Sequence, residues 1–373
     1  MSLRIAGMGL VTPLGRGVEH VWEQLLNGEE AQSQLISDSL NKKQYPVFLV
    51  PQIALTHLPP HPRLRRSSAI SRYAAAAGLD ALEDARSTID NIDMARVALV
   101  FAISNGGVSY SKRFYRDLVE SGAQSASPLL FPETVFNAAA SHLAAILGIN
   151  GSSYTLVGDG SVGLLAMKMA ADLMENDETL DCCLVVGAEE ADWLLCDAYH
   201  KWRLLKDGPP IEPFHDPPRG TVLSEGAGAI VLARKGAIGV SEIHRGAVFT
   251  RRQGAGKVVA EIIRDLVTAA DAIIIASANG TFIDLAERNA IRDKILDAIV
   301  YAPKAALGES VGASALWQTI IGAQALRTRR LPAPVHLGAA VSGHTGNPTQ
   351  SDNVIVLSCS LNQQASGLRL SIE

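Results

Sequence analysis

Short runs of Val, Ile and Leu, each closed by Gly, Asn or Ser, alternate along this chain with stretches where Ala and Leu recur at helical spacing. The strand candidates are residues 3–8, 96–103, 154–157, 182–186 and 229–233, followed by 240–249, 272–276, 335–339 and 353–358. Helices are predicted between them. Residues 71–85 place Ala75, Leu79 and Leu82 on one face and Asp80, Glu83 and Asp84 on another. Val162, Leu165, Ala166, Met169 and Leu173 keep the same period, as does 313–326, which is expected to stop toward Pro332 and Pro334. Such an alternation predicts a mainly parallel α/β core. In 373 residues, a 47% hydrophobic content with only 5% aromatics suits a sheet covered on both faces. An extended segment at 234–240 divides the chain into 1–235 and 236–373. Each part begins with a strand and contains a strand–glycine–helix junction, and no low-complexity linker separates them, so two tightly packed halves are expected. The segment 44–64, rich in Pro and His, reads as a surface loop.

Several function classes are disfavoured at once. A formal charge of −5 gives no electrostatic reason to expect nucleic acid or an anionic membrane as partner. The four cysteines show no CxxC spacing, and Cys182 and Cys183 are neighbours in an apolar run, which points to reduced, buried thiols and a cytoplasmic protein. No apolar stretch reaches transmembrane length and no secretory segment opens the chain. GMGLVT at 7–12 has Thr12 where a dinucleotide fingerprint needs its third glycine. GAGKV at 254–258 lacks the hydroxyl residue after Lys257 that a phosphate loop requires. No cofactor is expected, and no spacing of His, Cys and carboxylates reads as a metal set.

The junction LVGDGSVG at 156–163 is the informative one. A strand running through a tight turn into a helix is where many α/β enzymes hold a nucleophile, because the helix N-terminus favours an anion there. Ser161 and Asp159 are the chemically competent residues of this turn. The nucleophile-elbow pattern fails, since Asp159 rather than glycine stands two residues before Ser161. The simpler reading puts Ser161 in the first helical turn and Asp159 in a helix cap.

Five segments in order resemble the β-ketoacyl synthases that condense acyl chains on carrier proteins: GMGLVTPLGRGVEHVWEQLLNGE from Gly7, SPLLFPETVFNAAASHLAAILGINGSSYTL from Ser127, GAEEADW from Gly187, EPFHDPPRGTVLSEGAGAIVLAR from Glu212 and PKAALGESVGASALWQTIIGAQAL from Pro303. The resemblance spans nearly the whole chain. It implies the thiolase-like fold, five αβαβα layers built from two similar α/β halves, dimerising through strands near the active sites.

Carried over residue by residue, the resemblance implies a degenerate site. The family pattern S-Y-T-V-S-T-A-C-A-S-G against SYTLVGDGSVG puts the nucleophilic cysteine on Gly160. The first catalytic histidine, in N-A-H-G-T, falls on Asn279, and the second, in K-S-x-x-G-H, on Glu309, while Lys304 matches. The glycine-rich oxyanion loop is read as replaced by GNPTQSDN at 346–353, with Asn353 its one retained residue; His344 beside it gets no role. Asn279 and Glu309 read either as a new acid–amide pair or as a polar plug in the emptied site.

The resemblance thus implies a non-catalytic subunit of the chain-length-factor type, as in type II polyketide and aryl polyene systems. It would form a heterodimer with an active ketosynthase and shape the tunnel for a chain borne on acyl carrier protein. Phe114, Tyr115 and Phe136 read either as tunnel walls or as plain core, and the basic run Arg63, Arg65, Arg66 and Arg72 either as a surface for an acidic carrier or as a solvated or interface face. Two alternatives stand beside it. One is an enzyme acting on acyl thioesters by another chemistry, such as hydrolysis, using Asp159, Ser161, Glu309 or Lys304. The other is a homodimeric carrier-binding scaffold.

Overall fold

The computed structural model describes residues 3–37, 43–65, 67–244, 246–268, 273–295, 298–338 and 351–372. Ten strands run side by side in the order Ile299–Tyr301, Ile273–Ile275, Asn353–Cys359, Gln364–Ser371, Ile238–Ile243, Leu3–Thr12, Gly226–Ala233, Cys182–Glu189, Val97–Ile103 and Ser153–Val157. Outward from the middle, both groups of five follow one rule: two antiparallel pairings, then two parallel ones. The groups meet where Leu3, Arg4 and Ile5 pair with Val240, Gly239 and Ile238.

Helices make the remaining layers. Ala69–Ala85 and Ala138–Leu147 cover the outer face of the first group, and Ala255–Leu266, with Phe282–Lys294 against it, the outer face of the second. Val162–Asn176 and Ser314–Thr328 lie between the groups and touch strands of both. The result is the five-layered αβαβα arrangement of the thiolase-like fold.

The sequence accounts for these placements. Val97–Ile103 is buried at every position, which is why VALVFAI reads as an unbroken apolar run rather than an alternation. The inner helix is buried from Ser314 to Leu326, so its polar side chains must be satisfied inside. Gln318 Nε2 does this by donating to the carbonyls of Ala276 (2.7 Å) and Leu357 (2.8 Å), tying the helix to the ends of two strands. The alanine run of Ala69–Ala85 lies directly on the first strand. A Cβ at Gly9 would sit 1.9 Å from the Ala77 carbonyl oxygen, so this approach requires glycine there.

Four expectations change. The segment 44–64 is not simply a loop: Gln44–Phe48 is a strand, paired antiparallel with Ser33–Ser37 and parallel with Leu223–Ser224. Tyr45, Val47 and Phe48 are buried, and that burial outweighs Pro46 in the composition. Residues 335–338 form no strand, and 339 lies outside the described residues. The predicted strand 240–249 is two pieces, Ile238–Ile243 and Ala247–Val248, with Gly246 at φ 86° between them. The helix predicted over 313–326 runs to Thr328 and ends at Arg329, whose φ is 55°, ahead of Pro332.

Candidate functional site

Strand Ser153–Val157 ends at Gly158, and helix Val162–Asn176 begins four residues on. The Val162 N–H donates to the Asp159 carbonyl at 2.7 Å and closes the turn. Gly160 presents only backbone to its surroundings. A Cβ built on it would meet the Cys359 carbonyl oxygen and Ser360 Cα at 3.4 Å, ordinary contact distances. Nothing steric therefore demands glycine at this position.

Ser161 is fully buried and both its polar groups are engaged. Its hydroxyl lies 2.9 Å from the Ser360 hydroxyl, and its N–H donates to the same Ser360 oxygen at 3.0 Å. It stands at the helix N-cap position without making a side-chain cap. Asp159 is not a cap either. Its carboxylate accepts the Gly160 N–H at 2.7 Å and the Asn362 N–H. Burial pushes its pKa up, the Gly160 bond opposes this, and the charge on Glu309 adds to the rise while Lys304 counters it. Two residues before the N-cap, Asp159 reaches across the turn to a neighbouring loop instead of along its own helix.

That neighbouring loop corrects the sequence reading. The segment packed on Gly160 is the hairpin turn between Asn353–Cys359 and Gln364–Ser371, held further by the Ser358 hydroxyl donating to the Gly160 carbonyl at 2.8 Å. Residues 339–350, including His344 and most of the segment 346–353, lie outside the described residues. Asn353 begins the strand at its far end, six residues before Cys359. The signal was present in the sequence: SLNQ at 360–363, between two Val- and Leu-rich runs, is a hairpin turn.

Asn279, Lys304 and Glu309 do come together. Asn279 Nδ2 donates to Glu309 Oε2 at 2.6 Å, and Lys304 Nζ donates to the same oxygen at 2.8 Å. Asn279 Oδ1 in turn accepts the Thr281 hydroxyl at 2.6 Å. All three of these side chains are buried. Below them Asp284 collects the N–H groups of Phe214, Asn279 and Gly280, yet burial raises it to about 6. Glu287 accepts the Ser277 N–H at 2.9 Å and is raised by burial to about 8. This is a cross-linked, buried polar cluster, with no imidazole and no exposed carboxylate among its members.

Cys359 is the thiol nearest the turn, and the sequence reading passed it over. It is buried, and desolvation pushes its pKa above that of a free cysteine. Glu189 was missed as well. It is buried, accepts the N–H groups of Ser104 (3.2 Å) and Asn105, and is raised by burial to about 8. Among the described residues no group of His, Cys, Asp and Glu is arranged to hold a metal ion, and no helix is long and apolar enough to cross a membrane.

Of the candidate tunnel walls, Phe114 and Tyr115 pack together, and Phe136 is placed separately. Phe114 packs edge-on against Tyr115 (5.6 Å between centroids) and tilts against Phe131 (5.9 Å). Phe136 lies over Gly106, at the end of strand Val97–Ile103. Tyr115, Phe131 and Phe136 are exposed, as are Tyr154 and Val157 on the outermost strand of the sheet. Arg63 and Arg65 lie exposed on the short turn Pro62–Arg65, Arg66 is outside the described residues, and the buried Nε of Arg72 has no hydrogen-bond partner among the described residues.

Comparison with known proteins places this geometry. The chain is 24% identical over 367 residues to 3-oxoacyl-(acyl-carrier-protein) synthase 2 of Vibrio cholerae, covering 89% of this chain and 88% of that one. The synthase of the same name from Vibrio harveyi is 28% identical over 238 residues, 61% of this chain and 56% of its own length. Among solved structures, the ishigamide ketosynthase/chain length factor superposes with a TM-score of 0.86 at 20% identity, covering 100% of this chain and 99% of that one. The ketosynthase ApeO in complex with its chain length factor ApeC from Xenorhabdus doucetiae gives 0.82 at 18% identity, covering 100% and 98%. These likenesses show the fold. Residues 2–237 match the model of the β-ketoacyl synthase N-terminal domain, and the chain belongs to that family.

Proposed function

We propose that this chain is a non-condensing member of its family, a subunit of the chain-length-factor type that pairs with an active ketosynthase and shapes the tunnel for its acyl chain. The observation that carries this reading is the state of the site: glycine at 160, and Asn279 and Glu309 locked with Lys304 in a buried cluster. Condensation needs a thiolate nucleophile and acid–base partners, and this arrangement supplies neither. The Asp159 carboxylate also takes up the Gly160 and Asn362 N–H groups, so neither of these two donors is free for a developing oxyanion.

What remains intact is a surface. Strand Ser153–Val157 is paired on one side only, and the apolar residues Phe131, Phe136, Tyr154 and Val157 are exposed on it and on the segment before helix Ala138–Leu147. An unpaired edge of this kind is a template for a partner strand, and the cluster beside it supplies the anchors of a stable interface. Two of the structurally similar assemblies are described as a ketosynthase with its chain length factor. An acyl carrier protein is part of the proposed assembly through the chain it delivers. The hydrolase alternative gains nothing from Ser161, whose hydroxyl is buried and hydrogen-bonded.

Purification with and without an intact ketosynthase, followed by mass determination and product analysis, tests the proposal. The expected result is a one-to-one complex whose product length shifts when Phe136 is changed to Ala or Trp. A tight homodimer that ignores every ketosynthase offered would overturn it in favour of the scaffold reading.

A further inference from the structure

Between the turn carrying Asp159, the hairpin turn carrying Asn362 and the helix Trp193–Lys201 lies an open cavity of about 620 Å³. That is within the roughly 300–1,000 Å³ range of small-molecule sites. Tyr199 and Trp202, with ring centroids 5.5 Å apart, and Leu204 give it an aromatic and aliphatic wall. Asp159 brings a carboxylate to the lining; it is largely buried and has no ion-pair partner among the described residues. The Lys304 ammonium, which counters the rise of its pKa, is held by Glu309 at 2.8 Å. Arg252 is the other charged residue of the lining, but its guanidinium is drawn off over the Phe282 ring, 4.9 Å from a centroid that is no part of the cavity.

The carboxylate and the aromatic wall act on the same space. Burial raises the pKa of the Tyr199 hydroxyl, and among the charges that raise it further Asp159 acts most strongly. One small ligand can therefore reach both. A carboxylate that accepts two backbone N–H groups still has acceptor sites left, and a desolvated carboxylate is best satisfied by an opposite charge. The aromatic wall adds a second attraction for the same cation. Beyond it, Leu204 and the Trp202 ring favour hydrocarbon over a further polar group. The complementary molecule carries a single ammonium on an apolar body.

We infer that this cavity binds a primary amine with an apolar body. Its ammonium meets Asp159, and its body lies against Tyr199, Trp202 and Leu204. This goes beyond the pairing role and does not depend on it.

The test is calorimetric titration of the purified full chain with phenethylamine, 2-phenylethanol, 3-phenylpropionate and ethylamine. Phenethylamine is expected to bind one to one, and the neutral, anionic and ringless analogues each at least about tenfold more weakly. In Asp159→Asn the advantage of the amine over the alcohol disappears. In Trp202→Ala, at an exposed position, phenethylamine binds at least about threefold more weakly and keeps its advantage over the alcohol. Thermal unfolding confirms that each variant is folded, and the four ligands compared on the parent, with Trp202→Ala, keep the test open should Asp159→Asn fail to fold. No saturable binding of phenethylamine to the parent overturns the inference, and so does equal binding of any of the three analogues. An amine preference that survives Asp159→Asn, or an affinity untouched by Trp202→Ala, does the same. The titration contains no ketosynthase, so its failure leaves the pairing proposal standing, and a failure of pairing leaves the titration interpretable.

Discussion

The carboxamide of Asn279 donates to the same Glu309 oxygen that holds the Lys304 ammonium, at 2.6 and 2.8 Å, with all three side chains removed from water. Breaking one partner of a buried pair leaves an uncompensated charge, whereas replacing both partners by apolar groups is often close to neutral. Glu309→Gln is therefore expected to cost about 3–5 kcal/mol. The double change Lys304→Met with Glu309→Leu should recover most of that loss. Urea unfolding at constant slope reads both; a loss below about 1 kcal/mol for Glu309→Gln would contradict the structural role given to the pair.

Position 160 accepts a side chain. The nearest atoms to a built Cβ are at 3.4 Å, so Gly160→Cys should fold with stability within about 1 kcal/mol of the parent. Its thiol, at the start of a 15-residue helix, should be alkylated by iodoacetamide. Condensation should still run at least about a hundredfold below that of a complete ketosynthase, because no acid–base groups accompany the thiol. A rate near that of the complete enzyme would show that Asn279 and Glu309 are not the liability argued here.

Stability should fall as pH rises. Burial raises Glu189 and Glu287 from the usual 4.5 to about 8, and Glu190 to about 7. In the window from about 4.5 to about 8 the folded chain therefore binds more protons than the unfolded one. The slope of unfolding free energy against pH is then negative, by about 1.4 kcal/mol per pH unit for each full proton. The contribution is complete below the unfolded pKa and is lost as pH climbs through the folded one. Melting temperature measured across that window should decline, and Glu189→Gln should flatten the decline. A curve that rises with pH, or a variant with the parent's slope, would refute it.

The sheet edge gives a separate prediction. Val157→Lys and Phe131→Asp place charges where both side chains are already exposed, so the lone chain should lose less than about 0.5 kcal/mol. Affinity for a partner ketosynthase should fall at least about tenfold. Loss of pairing with an unchanged melting temperature is the expected signature; unchanged pairing would move the interface elsewhere.

How much of this was readable beforehand varied with the physics involved. Strands buried on both faces, such as Val97–Ile103 and the first seven residues of Cys182–Glu189, declared themselves because those runs are apolar throughout. The inner helix Ser314–Thr328 was also visible, as a pattern apolar nearly all round. Helix Val108–Ser121 was not: it has a single buried residue, Val108, and nothing in SYSKRFYRDLVES required a core. Strand Gln44–Phe48 was hidden because one of its two partners, Leu223–Ser224, comes from far along the chain, and the other, Ser33–Ser37, is largely exposed. At the site, residue types drew attention to Gly160, Asn279 and Glu309, and the structure brings Asn279 and Glu309 into contact. What each side chain touches was out of reach. The pairing of Ser161 with Ser360 and the reach of Asp159 to Asn362 are contacts between segments about 200 residues apart, set by a turn that motif alignment misplaced.

The shared oxygen of Glu309 bears on the chain's mutational history. Introducing histidine at 309 alone removes the counter-ion of Lys304, and introducing it at 279 alone removes the amide that bridges Glu309 to Thr281. Each single step toward an acid–base site crosses a fitness valley set by folding, whatever catalysis it would later confer. The three side chains are mutually contingent, so placing histidines at both 279 and 309 demands simultaneous changes. The interlock acts as an epistatic ratchet, and lineages carrying it are expected to diversify at their surfaces while this interior triplet stays frozen.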